Sequence, residues 1–264
     1  GACRGCLRIY NPKRLGCQRH RSSLRGIGSY VGPTASLGIT DAQLEALKAE
    51  NLAVWAAFGK LKVDHRDFSF VNREFLKPIY LSTSTEISVL KCTQVGLTIW
   101  MILKGVHCVL YAEQTGRRIA RKVGFYFPNS DSVARFTKDR LKPLVKGIPE
   151  LQEKLHGPGS MDLFQFGNSS LYMTYLGGVA TADSTPLDRV CLDEVRLMDP
   201  KEVVRVEERL SGCDDPELYK ISTAGYPNDA IHAAFLAGNQ QYWHTTCKCP
   251  EGIILVDRFP ECIG

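Results

Sequence analysis

The sequence predicts an α/β fold, a mainly parallel sheet with helices on both faces. Three observations predict it. Short apolar, β-branched runs alternate with helical patterns along most of the chain. One run, Ile87-Ser88-Val89-Leu90, leads through a loop into an apolar helical stretch. Another, Val190-Cys191-Leu192, ends in an acidic pair, Asp193-Glu194. Continuous apolar runs of this kind suit strands covered on both sides, as a parallel sheet requires.

The elements follow in order. Thr40-Asp41 caps a helix over 41–58, with Leu44, Leu47, Leu52, Val54 and Trp55 as its apolar positions. Residues 61–80 are mixed. A strand over 87–90 precedes a helix over 98–111. A strand over 123–127 is followed by Pro128-Asn129-Ser130-Asp131, which caps a helix running to 142. Residues 149–156 begin with Pro149, suited to a first helical position, and read as a helical turn. Segments 163–166 and 170–176 flank Gly167-Asn168 as a hairpin. Residues 190–192 form a buried strand, and Asp199-Pro200 opens a helix to 211. A strand over 218–222, a helix over 228–237 and a strand over 241–246 complete the alternation.

Composition sets the limits. The chain has 264 residues, 44% hydrophobic and 23% charged, enough for a full core without disulfides. Its 23 Gly and 13 Pro show no period, which excludes a collagen-like chain. The most apolar stretch, 99–112, carries Lys104 and His107 and is shorter than the roughly 20 residues of a membrane span. The basic, polar N-terminus shows no secretory signal. The net charge of +5 sits entirely in residues 1–30, which hold Arg4, Arg8, Lys13, Arg14, Arg19, Arg21 and Arg25 and no acid. Such an arm suits a polyanion.

Ten cysteines without an export signal point to thiols and metal ligands. Cys92, Cys108, Cys191 and Cys213 stand singly and read as packing residues. Cys3, Cys6, Cys17 and His20 form two close pairs separated by a loop, a spacing that suits tetrahedral zinc. His244, Cys247, Cys249 and Cys262 resemble part of a zinc ribbon. The expected organisation is a basic arm over 1–30, a linker and helix over 31–62, the main α/β domain over 63–238, and a cysteine-bearing segment over 239–264.

Two stretches carry chemistry, and each supplies what the other lacks. The loop is Lys91-Cys92-Thr93-Gln94-Val95-Gly96-Leu97-Thr98. Against the phosphate-loop pattern G-x4-G-K-[ST], Gly96 and Thr98 fit, whereas Leu97 occupies the lysine position and Lys91 the first glycine. A lysine at the loop's beginning reaches the same phosphates as one at its end. Gly96 admits close backbone approach, the helix start offers N–H groups, and Thr98 can place its hydroxyl on magnesium. At the second stretch, Asp193 would hold that ion and Glu194 would activate water at the ligand-binding edge of the sheet. Lys220-Ile221-Ser222-Thr223-Ala224-Gly225 is a third strand whose small hydroxyls, Ser222 and Thr223, would sense the γ-phosphate.

In order and spacing, these stretches resemble the large terminase subunit of tailed bacteriophages, in its N-terminal ATPase half. The resemblance covers residues 65–250. Arg73-Glu74-Phe75-Leu76-Lys77-Pro78-Ile79-Tyr80 is similar to the family's adenine-contacting segment, which implicates Arg73 and Pro78. Residues 91–98 have its displaced basic residue, residues 123–143 resemble its next block, and Ser169-Ser170-Leu171-Tyr172 through Asp193-Glu194-Val195 resembles the block ending in acids. Ile221-Ser222-Thr223-Ala224 resembles its coupling motif, and 242–249 a cysteine-bearing segment of one branch.

The resemblance implies a RecA-like (ASCE) P-loop fold with an extra strand between the two nucleotide-contacting strands. It implies ATP with magnesium, double-stranded DNA as the cargo, and the portal protein and small terminase subunit as partners. Subunits would form a ring on the portal, be monomeric in isolation, and work in the host cytoplasm. Arg117, Arg118, Arg140, Arg189, Arg205 and Arg209 stand as candidates for an arginine finger. The chain departs from the family at Leu97, and an excised ATPase domain without nuclease activity is expected. Two other readings stay open: another P-loop helicase or remodelling ATPase, which would need a second RecA-like domain, and a non-catalytic zinc-containing DNA-binding protein.

Overall fold

A computed structural model describes residues 5–9, 38–64, 66–71, 73–112, 121–157, 159–176, 185–242, 244–246 and 253–255. The first element, β1 (Gly5–Ile9), is a strand. The expected helix over 41–58 is two, α1 (Asp41–Glu50) and α2 (Leu52–Phe58). Thr40 caps the first in a capping box with Gln43. Asn51 breaks the run in an extended conformation, and its side chain accepts from the N–H groups of Ala53 and Val54. The mixed region forms β2 (Lys62–Val63), β3 (Arg66–Asp67), a 3-10 turn at Glu74–Leu76 and α3 (Lys77–Leu81).

The alternation then runs as the sequence predicts. It comprises β4 (Glu86–Lys91), α4 (Leu97–Leu110), β5 (Lys122–Phe127) and α5 (Ser130–Phe136), capped by Asn129. The helix expected to reach 142 widens into a π turn at Thr137–Leu141 and restarts as α6 (Lys142–Lys146). Pro143 explains this, since it has no N–H to give to the carbonyl four residues back. Next come α7 (Pro149–Lys154), the hairpin β6 (Leu163–Phe166) and β7 (Ser169–Tyr175), β8 (Arg189–Asp193) and α8 (Pro200–Glu207), capped by Asp199. They lead to β9 (Glu217–Thr223) and α9 (Ala230–Ala237). The last expected strand divides into β10 (Gln241–Tyr242) and β11 (His244–Thr246), the latter pairing antiparallel with β12 (Ile253–Leu255).

Among the described residues, eight strands form the main sheet in the order β10-β1-β4-β9-β8-β5-β7-β6. Only the β6–β7 pair in it is antiparallel. Strand β9 lies between β4 and β8, which is the inserted strand of the RecA-like ASCE arrangement. The fold is therefore the expected one. The N-terminal expectation needs correction at one point: Gly5–Ile9 is a parallel strand between β4 and β10, so this part of the arm belongs to the sheet.

The pleat divides each strand between two apolar layers. Ile87 and Val89 of β4, Phe125 and Phe127 of β5 and Cys191 of β8 face one core with Trp100, Met101, Leu103 and Val106 of α4. Tyr126, Val190 and Leu192 face another with Val203 and Val206 of α8, and Leu90 meets Ile231 and Phe235 of α9. Helix α4 is apolar nearly all round, as a helix under other elements must be. Gly105 allows its approach, because a Cβ there would lie 2.4 Å from Phe125 Cζ. Cys191 is buried, and Cys92, Cys108 and Cys213 are half-buried thiols, in keeping with packing roles. No helix among the described residues is long and apolar enough to cross a membrane.

Candidate active site

Parallel pairing brings three strand ends together. Lys91 is opposite Thr223 across β4 and β9, and Asp193 is opposite Ile221 across β8 and β9. Lys91, Thr223 and the acidic pair therefore emerge at one carboxyl edge, where the start of α4 also lies. The loop between β4 and α4 turns through two left-handed residues, Gln94 (φ 61°) and Gly96 (φ 88°). Gly96 is the N-cap of α4, and no side chain caps that end, so the first-turn N–H groups form an anion-attracting pole. Val95 and Leu97 are buried beneath the loop, while Thr93 and Gln94 are exposed above it.

Side chains cross-link this edge. Lys91 Nζ lies 2.5 Å from Glu194 Oε1 and 3.9 Å from Asp193 Oδ1. The Thr98 hydroxyl donates to Asp193 Oδ2 at 2.9 Å, while Asp193 Oδ1, also buried, has no hydrogen-bond partner. Burial and the neighbouring Glu194 charge raise the Asp193 pKa above the usual carboxylate range, against the opposing effects of Lys91 and Thr98. Glu194 goes the other way. Burial alone would raise its pKa, but the Lys91 ammonium and the hydrogen bonds from Lys91 and Thr223 outweigh it and hold the carboxyl low.

Glu194 reaches this position through a left-handed backbone (φ 58°), a conformation costing a non-glycine residue about 1 kcal/mol. Its N–H is tied to Ile221 O at 2.8 Å. Its Oε2 accepts from the Thr223 hydroxyl at 2.9 Å, the Thr223 N–H at 3.2 Å and the Ser222 hydroxyl at 3.3 Å. The two hydroxyls of the third stretch thus converge on the acid.

Of the upstream pair, Arg73 is brought to the loop: a Cβ on Gly96 would lie 3.7 Å from its Nη1. Pro78 sits exposed in the first turn of α3. The arginine candidates separate. Arg189 is at the opposite, amino end of β8, buried and ion-paired with Glu217. Arg205 pairs with Glu202 on α8, and Arg209 donates to Thr185 O. Arg140 lies exposed in the π turn, and Arg117 and Arg118 fall outside the described residues. Sequence reasoning missed Arg196, whose Nε donates to Thr223 Oγ1 at 2.8 Å. Its one sequence signal was a cation two residues past the acidic pair.

A cavity of about 680 Å³ opens at the other end of the sheet, lined by Lys104, His107, Arg121, Arg189, Glu217 and Tyr219. Burial and Arg189 lower the Lys104 pKa to about 8. None of the loop or acidic-pair residues lines it. The two zinc expectations gain no support: Cys6 sits in β1 and His244 in β11, while Cys3, Cys17, His20, Cys247, Cys249 and Cys262 lie outside the described residues. Among the described residues no group of three or more His, Cys, Asp or Glu could hold a metal.

Residues 69–255 match the family described as phage terminase large subunit gpA, ATPase domain. The chain belongs to that family. Among solved structures, the large terminase of HK97 bacteriophage is similar to this terminase domain at 17% identity and a TM-score of 0.46, over 58% of this chain and 34% of that one. A mutant of the Thermus phage P74-26 large terminase ATPase domain is similar at 17% and 0.46, over 66% and 73%. The large terminase of a thermophilic bacteriophage, in complex with ADP, is similar at 16% and 0.41, over 58% and 37%. The chain thus spans about a third of the HK97 protein and of the ADP-bound one. No curated protein matches it.

Proposed function

We propose that this domain hydrolyses ATP to drive double-stranded viral DNA into a procapsid. The observation that carries the reading is the convergence of Lys91, Thr98, Asp193, Glu194 and Thr223 beside the uncapped start of α4. In this reading the loop N–H groups from Cys92 to Thr98 and the Lys91 ammonium bind the β- and γ-phosphates. Arg73, beside Gly96, flanks the nucleotide.

Magnesium fits the residues present. Asp193 offers a buried carboxylate oxygen that no donor satisfies, and the Thr98 hydroxyl adjoins its other oxygen, an oxygen-only set that suits a small hard cation. Thr98 and Asp193 would hold it, and it would neutralise phosphate charge. Glu194 orients and polarises the attacking water. In this state the Lys91 ammonium and the Thr223 hydrogen bonds outweigh burial and hold its carboxyl low, which weakens it as a base. Lys91 now neutralises Glu194, so phosphate binding would draw Lys91 away and release the carboxylate. Thr223 and Ser222 hold Glu194 in place and link it to the segment after β9.

Family membership further supports assembly as a ring on the portal protein, with the small terminase subunit and DNA as partners, in the host cytoplasm. Phosphate release from ATP by the purified chain tests the enzymatic part. Release that needs magnesium and is lost in Asp193→Asn is expected. A chain that binds no nucleotide and releases no phosphate would refute it, and would favour the DNA-binding reading.

A further inference from the structure

We infer that Arg196 is a positioning residue for Glu194, acting through the hydroxyls of Ser222 and Thr223. The inference rests on the reading of Glu194 as the water-activating carboxylate. Three observations carry it. The Arg196 Nε donates to Thr223 Oγ1 at 2.8 Å, and its backbone N–H donates to Ser222 Oγ at 3.3 Å. Both hydroxyls in turn lie against the same oxygen, Glu194 Oε2, at 2.9 and 3.3 Å. The left-handed backbone at Glu194 starts the turn at Val195–Leu197, which contains Arg196 and lies beside β9.

Hydrogen-bond chemistry fixes the direction of this relay. A guanidinium and a backbone N–H can only donate, and an ionised carboxylate can only accept. Each hydroxyl has one hydrogen, so each accepts from Arg196 and donates to Glu194. A hydroxyl held on its acceptor side cannot swing away, and the donor polarises the bond it makes. This matters most with nucleotide bound. Lys91 is then engaged by phosphate, and the bonds from Ser222 and Thr223 remain to orient the acid.

Arg196 also lies against the segment after the coupling strand. A Cβ on Gly225 would lie 3.4 Å from Arg196 Cδ, so a shift of that segment would meet this side chain. Arg196 is exposed and buries nothing in the core, so replacing its side chain perturbs the Thr223 arm of the relay cleanly, while the Ser222 arm, which starts from the backbone N–H, is kept.

The test is a double-mutant cycle on the full chain with ATP, comparing Arg196→Ala, Thr223→Val and the double variant. Turnover and nucleotide affinity are measured separately, with thermal melts as the folding control. Expected are a fall in kcat of roughly tenfold in Arg196→Ala, nucleotide affinity within about twofold of the parent, and a double variant no slower than Thr223→Val alone. Arg196→Lys, which keeps a donor, should recover part of the loss. Parental turnover in Arg196→Ala, or losses that multiply in the double variant, would overturn the inference. Glu194→Gln separates the two layers. If that variant turns over normally, the site reading itself fails; if it is inactive while Arg196→Ala is normal, only the role of Arg196 fails.

Discussion

Replacing Lys91 by alanine tests the displaced lysine most sharply. Its side chain is 8% exposed and spans both acids, at 2.5 Å from Glu194 and 3.9 Å from Asp193. Removal leaves two largely buried carboxylates facing each other without a cation. Breaking a buried pair in this way costs about 3–5 kcal/mol, and the partial exposure of Glu194 puts the expectation near the lower figure. The loss has a pH signature. Glu194 has a depressed pKa in the folded chain, so the stabilisation is present above the unfolded carboxylate pKa of about 4.3 and is lost as pH falls through the folded value. The penalty of Lys91→Ala should therefore be largest near neutrality and shrink in acid. For nucleotide, the lost contact to a charged phosphate is worth about 1.5–3 kcal/mol, partly offset because the parent must first break the Lys91–Glu194 pair. About tenfold weaker binding and at least roughly 100-fold slower hydrolysis are expected. Leu97→Ala is the control. Leu97 is 1% exposed, so its truncation costs about 2–5 kcal/mol of stability but leaves the site's charges in place. Both variants are compared per folded molecule, with folded fractions set by circular dichroism. Parental affinity and turnover in Lys91→Ala would refute the argument.

Other outcomes follow from the same geometry. Thr98→Val removes the donor to Asp193 Oδ2 at nearly constant volume and should raise the magnesium needed for half-maximal ATPase by about tenfold; an unchanged magnesium titration would contradict it. Gly96→Ala forces a side chain into a left-handed residue 3.4 Å from Leu76 Cδ1, and should cost about 1–2 kcal/mol in urea unfolding and weaken nucleotide binding. His107 donates Nε2–H to Lys48 O, and burial holds its pKa at about 4. The unfolded chain takes up that proton below about 6.5, so stability from this group is full above that pH and lost as pH falls toward 4. Between pH 7 and pH 5 the loss is about 2 kcal/mol, and His107→Gln should remove that part of the acid sensitivity.

Local pattern made most elements legible. The strand at Ile87, the buried strand ending at Asp193-Glu194 and the caps at Thr40, Asn129 and Asp199 are signals written within a few residues of where they act. Breaks of a single residue were less visible. Asn51 ends one helix and caps the next, and Pro143 turns one expected helix into two, although both are residues known for such effects. Strand β1 escaped notice because Gly5-Cys6-Leu7-Arg8-Ile9 is short, basic and flanked by cysteines, so its spacing suggested a metal site. Its place is set by pairing with β4, which is non-local. Register explains the site in the same way. Lys91, Thr98, Asp193 and Glu194 could be paired from motif spacing, but the bond between Arg196 and Thr223 spans 27 residues and depends on where β8 lies against β9. Arg189 could have been excluded as a finger from sequence alone, since it opens the strand whose other end carries the acids.

Glu194→Gln tests the central claim most directly. The substitution keeps the side chain's size and its acceptor toward Thr223 while removing the charge that pairs with Lys91 and accepts the water's proton. The measurement is the single-turnover rate of phosphate release at saturating ATP and magnesium, with ATP affinity determined on the same preparation. Affinity at or above the parental value with a rate reduced at least roughly 100-fold is the predicted result. Release at the parental rate would contradict the account, because no other carboxylate in it is placed to activate the water.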